Sequence, residues 1–405
     1  MANEQLHNAK SAKADEFYTD FHDIEAEINA YQKSIFENKT VLCPCDDPGK
    51  SAFTKFFLAR FSDFKLKALI CTSYAHSYLS QNPSEREKQM GCYNPEKQFT
   101  NGRVYKITSS DIIPMNMEDV EWKYLNGDGD FRSDEVTKLR DESDIIVSNG
   151  PFSLFREFLA WILAGNKLFS IIGNINAVTY KEVFPLIKDN IIWLGASIHS
   201  GDRKFYVPDD YPLNASGCGI DADGKRFIRV KGVRWFTNID HGERHEPLQL
   251  MTMEDNLKYN KPLQKKLLKE YGEVRYQEYD NYTAIEIPQT NAIPSDYEGI
   301  MGVPITFLDK YCPEQFELLN ANDFRKSINV PEKPHGLIKD KEATITYEKV
   351  LDNNGMSMHD LTTGNRQQGQ PMPEYVSETE LLAPGADGWH INGKRKYARI
   401  FIRKL

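Results

Sequence analysis

Asp144-Ile-Ile-Val-Ser-Asn-Gly-Pro-Phe152 decides how this chain is read. The apolar run Ile145, Ile146, Val147 stops at a turn, Ser148-Asn149-Gly150-Pro151-Phe152. An amphipathic run with Leu154, Phe155, Phe158, Leu159 and Ile162 on one face follows at once. A short apolar run without alternation marks a strand buried on both faces, and a period near four marks a helix. The pattern therefore predicts a central strand over residues 144–148, a rigid turn, and a helix over 154–163. The turn carries an amide side chain, a proline and an aromatic ring. That set suits a site that grips a planar amino group and stacks the ring bearing it.

The same alternation runs outward in both directions. Toward the N-terminus the pattern predicts a helix over 20–36, a strand at Thr40-Val-Leu-Cys-Pro44, and a helix over 51–61 with Phe53, Phe56, Phe57 and Phe61 on one side. Ala68-Leu-Ile-Cys-Thr72 is a second strand. A polar connection over 76–103 and an inserted hairpin, residues 104–108 with 120–124, follow. Beyond the turn come a strand at Phe169-Ser-Ile-Ile-Gly173, a helix over 180–187 and a strand at Ile191-Ile-Trp-Leu-Gly195. Strands that are hydrophobic throughout and alternate with helices predict an open parallel α/β sheet. After residue 200 the pattern changes. Arg226-Phe-Ile-Arg-Val230 and Val233-Arg-Trp-Phe-Thr237 alternate across Lys231-Gly232 as a hairpin would. Residues 323–390 are polar and rich in Gly, Pro, Asn and Asp, and read as a loosely structured insert. A strand ends the chain at 397–403. Two domains follow from this, 1–200 and 201–405.

At 405 residues, with 40% hydrophobic and 27% charged, the chain can build a large core. No apolar run approaches a membrane span, and Met1-Ala-Asn-Glu-Gln5 opens no signal sequence, so a cytoplasmic protein is expected. Six cysteines without a C-x-x-C pair exclude a disulfide framework and make structural zinc a poor fit. The net charge of −9 argues against indiscriminate nucleic-acid binding and leaves only local basic patches. Lys258, Lys261, Lys265 and Lys269 follow helical spacing and would share one face. A second cluster, Lys394, Arg395, Lys396, Arg399, Arg403 and Lys404, lies at the C-terminus.

Three further stretches bear on chemistry. Leu42-Cys-Pro-Cys-Asp-Asp-Pro-Gly-Lys-Ser51 ends like a phosphate-binding loop, but Pro44 stands where that loop needs glycine. It reads as strand, acidic turn and helix, placing Asp46 and Asp47 where open α/β sheets bind ligands, or as a helix cap. Asn126-Gly-Asp-Gly-Asp-Phe-Arg-Ser-Asp-Glu135 lacks the calcium-loop pattern. It reads as a tight turn presenting Asp130 and Phe131 at a sheet edge, or as a plain surface turn. Asn238-Ile-Asp-His-Gly-Glu-Arg-His-Glu246 offers His241 and His245, but Gly242 argues against a helical metal pair, so a hydrogen-bonded loop and no metal are expected. The turn at Asn149 has the stronger claim. An exocyclic ring amine is a poor nucleophile because its lone pair is delocalised. The Asn149 amide oxygen and the Gly150 carbonyl would accept its two hydrogens and localise that pair, while Phe152 stacks the base.

The order of these motifs carries more than any one of them. Asp15-Glu-Phe-Tyr-Thr19, Cys43-Pro-Cys-Asp-Asp-Pro48, Gly127-Asp-Gly-Asp-Phe131, Ser148-Asn-Gly-Pro-Phe-Ser-Leu-Phe155, Ile171-Ile-Gly-Asn-Ile-Asn-Ala177 and Val233-Arg-Trp-Phe-Thr-Asn-Ile-Asp240 resemble the EcoRI-type adenine-specific DNA methyltransferases. So do Arg244-His-Glu-Pro-Leu248 and Gly302-Val-Pro-Ile-Thr-Phe-Leu308. The resemblance covers roughly residues 14–320 and the final strand. It implies a Rossmann-like methyltransferase sheet with a C-terminal target-recognition region, S-adenosyl-L-methionine as donor, and N6 of a flipped adenine in double-stranded DNA as acceptor. By position it implies that Phe17, Tyr18 and Thr19 line the methionine end of the cofactor, Asp46 and Asp47 form the first cofactor loop, and Asp130 and Phe131 meet the cofactor's adenine. Asn149, Gly150, Pro151 and Phe152 match the catalytic Asn-Pro-Pro-Phe motif, with Gly150 in place of the first proline. Similar turns serve RNA-adenine and protein-glutamine methyltransferases. A glycine that loosens the turn also fits a catalytically silent nucleic-acid-binding relative. Gly150→Pro should hold or raise the rate if the pocket accepts the proline ring, because it restricts the turn without removing the carbonyl.

Overall fold

The computed structural model describes residues 18–114, 117, 120–207, 213, 217–320, 337–339, 344–346, 389–392, 394–396 and 398–405. Phe17 and nearly all of the expected insert over 323–390 lie outside these. Four fully or almost fully buried strands form the centre of the main sheet: β1 (Thr40–Cys43), β2 (Ala68–Ser73), β5 (Ile145–Ser148) and β6 (Leu168–Asn174). They are mutually parallel in the order β2-β1-β5-β6. Their apolar runs put side chains into both covering layers, as the absence of alternation requires.

The rest of the sheet departs from the expected parallel pattern. β3 (Arg103–Thr108) runs antiparallel to β2, and β4 (Lys123–Tyr124) antiparallel to β3. At the other edge β11 (Val233–Thr237) runs antiparallel to β6 and to β7 (Trp193–Leu194). The full order is β4-β3-β2-β1-β5-β6-β11-β7. The hairpin expected across Lys231-Gly232 does not form. β10 (Arg226–Lys231) instead pairs with β8 (Asp202–Tyr206) and β9 (Gly219–Ile220) in a separate three-stranded sheet. At Gly232, with φ +74, the chain leaves that sheet and enters the main one. All five residues of β11 are buried, a burial that a two-stranded ribbon facing solvent does not give.

The helices keep closer to expectation. Asp20 caps Phe21–Ala30 by accepting from the His22 amide at 2.8 Å, and a 3₁₀ turn, Lys33–Ile35, replaces the last part of the expected helix. Ser51 caps Ala52–Arg60. Phe155–Ala164 follows the central strand. The polar connection over 76–103 holds two short helices, Tyr78–Gln81 and Glu85–Gln89, the second closed by a capping box between Ser84 and Glu87.

Contacts divide the chain into Met1–Glu246 with Leu308–Pro313, and Pro247–Phe307 with Glu314–Leu405. The boundary expected at residue 200 falls inside the first unit. Residues 308–313 belong there through Asp309, which pairs with buried Arg234 at 2.6 and 2.8 Å. Among the described residues the second unit has two α-helices, Met253–Tyr259 and Lys261–Tyr271, and a five-stranded sheet ordered Gln277–Glu278, Ile285–Glu286, Met301–Pro304, Arg399–Lys404, Phe316–Leu319. Tyr279, Tyr282 and Phe401 pack in its core. Among the described residues no helix is long and apolar enough to cross a membrane.

Candidate active site

Because β1, β2 and β5 are parallel, the segments that leave their carboxyl ends gather at one edge of the sheet, where an open α/β sheet leaves its binding crevice. There they line a cavity of about 950 Å³. Pro44 to Asp47 come from the end of β1, Ser73 and Tyr74 from β2, and Asn149, Pro151, Ser153 and Leu154 from β5. Tyr18, Thr19 and Asp20 close the wall from the N-terminal segment. That segment is tied to β8 by backbone bonds in both directions between Tyr18 and Tyr206, at 3.0 and 3.1 Å. Gly129, Asp130, Phe131 and Arg132 complete it. Of the residues singled out from sequence, Tyr18, Thr19, Asp46, Asp47, Asp130, Phe131, Asn149 and Pro151 therefore meet in one cavity. Gly150 and Phe152 do not line it.

The two carboxylates after β1 are buried and held differently. Asp46 accepts from the Ser51 hydroxyl at 2.8 Å and the Ser148 hydroxyl at 2.7 Å. Burial pushes its carboxyl up to about 7, and the two hydroxyls oppose that shift. Asp47 faces the fully buried Arg103 at 3.3 Å, and Arg103 reaches Glu87 at 2.7 Å. Lys50 meets the other Glu87 oxygen at 2.9 Å. Burial raises the Asp47 carboxyl, against Arg103 and Lys50, which lower it. The Arg103 guanidinium also lies 4.3 Å from the Trp122 ring centroid. Arg103, Glu87 and Trp122 were not recognised from sequence. The Ser84-x-x-Glu87 capping signature was visible, but nothing local says where its carboxylate points.

The Gly-Asp-Gly-Asp-Phe stretch is a wall of the cavity and not a plain surface turn. Gly129 has φ +82, and a Cβ there would sit 2.3 Å from the Ser73 carbonyl oxygen. The Ala75 amide donates to the Asp128 carbonyl at 2.7 Å, fastening the turn to the end of β2. Asp130 lies at the cavity with its carboxylate gripped by Arg132 at 2.6 and 2.9 Å, which holds it below the usual carboxylate range. The Phe131 ring packs edge-on against Phe158, centroids 5.1 Å apart.

The catalytic-type turn has a geometry that the sequence did not disclose. Pro151 fixes φ at −62 before the 3₁₀ turn Phe152–Leu154. A Cβ at Gly150 would lie 2.5 Å from Cδ1 of Phe158 and 2.6 Å from its Cε1. The glycine therefore makes room for the Phe158 ring, and the condition on which Gly150→Pro was expected to hold the rate, space for the proline ring, is not met. Phe152 turns its ring edge-on to Phe205 at 6.1 Å, and the aromatic side chains that border the cavity are Tyr18, Phe21, Phe53, Tyr74, Phe131 and Tyr206.

Elsewhere the expected patches resolve unequally. Asn260 interrupts the lysine helix: its backbone leaves helical geometry and its side chain caps the second helix by accepting from the Leu263 amide. Lys258 lies in the last turn of the first helix, whereas Lys261, Lys265 and Lys269 share a face of the second; all four are exposed and in no ion pair among the described residues. The C-terminal cations are largely paired, Lys396 with Glu270, Arg399 with Glu286 and Arg403 with Glu317. His241 meets the Leu194 carbonyl and His245 meets Asp240, so the two histidines serve separate loop contacts. Among the described residues no group of three or more His, Cys, Asp or Glu is placed to hold a metal.

Comparison with known proteins agrees with this architecture. The family model described as adenine-specific methyltransferase EcoRI matches residues 5–405. The chain belongs to that family. It is 42% identical over 327 residues to the type II methyltransferase M.EcoRI of Escherichia coli, covering 81% of this chain and 91% of that protein. It is 34% identical over 318 residues to M.MgeORF184P of Mycoplasma genitalium, with 78% and 86% covered. It is 31% identical over 355 residues to M.MpnI of Mycoplasma pneumoniae, with 85% and 97% covered. No solved structure matches it. Membership makes this chain a DNA methyltransferase with a Rossmann-like sheet, and DNA adenine methylation is the function of its family.

Proposed function

We propose that this methyltransferase transfers the methyl group of S-adenosyl-L-methionine to N6 of an adenine flipped out of double-stranded DNA at a specific sequence. The observation that carries the reading is the convergence of Asn149 and Pro151 with Thr19, Asp46, Asp47 and Asp130 on one cavity. The residues present suit the cofactor. The buried Thr19 hydroxyl has no hydrogen-bond partner among the described residues, so a polar ligand in the cavity would satisfy it. Both Asp46 oxygens retain a free lone-pair direction after binding one hydroxyl each, enough to accept from a ligand hydroxyl or ammonium. Tyr18 and Thr19, with Phe17, then hold the methionine end, Asp46 and Asp47 the middle, and Asp130 and Phe131 the adenine.

When bound, S-adenosyl-L-methionine supplies an electrophilic methyl group on a cationic sulfur. The protein's part is to make the amine a nucleophile and aim it. The Asn149 amide oxygen and the Gly150 carbonyl accept the two N6 hydrogens, an interaction that strengthens as the nitrogen moves toward sp³ geometry. Pro151 restricts the turn that aims them. Phe152, seated on Phe205, holds the turn from behind. Exposed Lys258, Lys261, Lys265 and Lys269 in the second unit meet DNA phosphate.

Incubation with methyl-labelled S-adenosyl-L-methionine and duplex DNA, followed by nucleoside analysis, tests the reading. Labelled N6-methyladenine is the expected product. Label in RNA or protein but not in DNA refutes the substrate. Cofactor binding with no transfer to any of the three would make the chain a silent relative.

A further inference from the structure

The three-stranded sheet β8-β10-β9 has one face in the core and one face outward. Phe205 and Ile228 pair across β8 and β10 and are buried. By the two-residue period of strands, the pairs Tyr206 with Phe227, Lys204 with Arg229, and Asp202 with Lys231 project to the opposite face. There the cations and rings interleave. The Lys204 ammonium lies 4.5 Å from the Tyr206 ring centroid and 4.7 Å from that of Phe227. Lys225, from the turn before β10, lies 5.5 Å from Tyr206, and Arg229 lies 6.0 Å from Phe227. Two cations are neutralised within the sheet, Lys204 by Asp221 at 3.1 Å and Arg229 by Asp202 at 3.3 Å. Exposed Lys225 and Lys231 have no carboxylate partner among the described residues. Tyr206 and Lys225 also border the cavity that contains Asn149.

We infer that this outward face is a platform for the DNA strand carrying the target adenine, with Lys225 and Lys231 on its phosphates and Phe227 beneath a base flanking the flipped one. The inference rests on the reading of the cavity as a DNA-adenine site. Three observations support this occupant. In a chain of net charge −9, two unpaired lysines at one small face are complementary to a polyanion and make a poor general binding surface. Rings alternating with cations are what a locally unstacked strand needs, since every base has a π-face and every linkage a phosphate. The face meets the cavity at Tyr206 and Lys225, so it lies beside a strand that delivers a base to Asn149 across this rim. The lysine face of Lys261–Tyr271 lies in the other unit and supplies a separate electrostatic contact.

The test uses the full chain, a duplex that the parent methylates, and binding measured from low to moderate salt. Lys225→Gln with Lys231→Gln should lower the slope of log affinity against log salt by roughly 2, about 0.9 for each phosphate that is no longer neutralised. Phe227→Leu keeps apolar volume and loses the stacking face. It should weaken DNA binding on the order of five- to a hundredfold without altering the salt slope. Cofactor affinity by calorimetry should stay at the parental value in Phe227→Leu and in Lys231→Gln alone, since neither residue borders the cavity. An unchanged slope in the lysine double variant, with a parental urea midpoint, overturns the platform while leaving the methyltransferase reading intact. A parent that binds cofactor but neither binds nor methylates duplex DNA overturns the underlying reading instead. Stronger DNA binding by Phe227→Leu would overturn the stacking role.

Discussion

Adding a single Cβ at position 150 should damage this enzyme, although the family motif has a larger residue there. A Cβ there would sit 2.5 Å from Phe158 Cδ1, where ordinary contact begins near 3.4 Å, so the ring would have to retreat by roughly 1 Å. It has nowhere to go. Phe158 is 1% exposed, stacks on Trp161 at 5.9 Å with planes 13° apart, and meets the edge of Phe131 at 5.1 Å. Overpacking of this kind costs about 1–3 kcal/mol. Gly150→Ala should therefore lower stability by that amount, and Gly150→Pro by at least as much. Both should slow methyl transfer, because the displaced carbonyl is the one proposed to accept from N6. A double-mutant cycle isolates the cause. Phe158→Leu narrows the side chain at the contact, so Gly150→Ala in that background should cost less than in the parent. The coupling should be about 1–2 kcal/mol in urea unfolding, with partial recovery of single-turnover rate. An additive cycle, or a Gly150→Ala variant within about 0.5 kcal/mol of the parent, would refute the claim that Phe158 dictates glycine here. A faster Gly150→Pro enzyme would refute it more directly and revive the view of Gly150 as a lesion.

Other consequences can be checked separately. Asn149→Ala should collapse kcat while cofactor affinity by calorimetry stays near parental, and activity that survives would place the chemistry elsewhere. Asp46 is pushed from the usual carboxylate range near 4 up to about 7 in the fold, so between those values the native state holds more protons than the unfolded state. Its contribution to stability then falls as pH rises from about 4 to about 7 and is flat above. Asp46→Asn should remove that part of the decline in urea midpoint, and an unaltered pH profile would contradict the burial argument. Arg103→Met would leave the carboxylates of Asp47 and Glu87 facing each other in the interior and should cost about 3–5 kcal/mol. A loss below about 1 kcal/mol would mean that water or a shifted Lys50 takes over.

The features legible in the sequence are those set by neighbours along the chain. Ser51 and Asp20 cap helices because their side chains reach amides two residues on. The central strands were visible because burial on both faces removes alternation. The strand ends then placed Asp46, Asp47 and Asn149 at one edge before any tertiary contact was known. The hairpin error has an equally local origin. Lys231-Gly232 between two alternating runs is the pattern of a two-residue turn, and nothing in it states that Val233–Thr237 finds a better partner in β6. Register competition between a short ribbon and a large sheet is settled by burial, a property of the whole fold. The lysine stripe failed at one residue, Asn260, whose capping chemistry outweighed the charge periodicity around it.

What remained hidden is the set of long-range supports, and these decide whether the legible residues work. Thr19 lines the cavity only if the helix Phe21–Ala30 behind it is fixed. Glu27, fully buried on that helix, fixes it. Its carboxylate accepts from the Tyr31 hydroxyl at 2.6 Å, the Ala196 and Ser197 amides at 3.1 and 2.8 Å, and the Ser197 hydroxyl at 2.5 Å. Gly195 is glycine because a Cβ would fall 2.0 Å from a Glu27 oxygen. The same relation recurs at Gly150 beneath Phe158 and at Gly129 against the Ser73 carbonyl. In each case a missing side chain lets a distant group approach a wall of the site or the segment that holds it. A glycine that departs from a motif is therefore read first by what fills its Cβ position. At position 150 that filler is a ring that also meets Phe131, so the turn proposed to aim at the substrate and the wall assigned to the cofactor rest on one side chain.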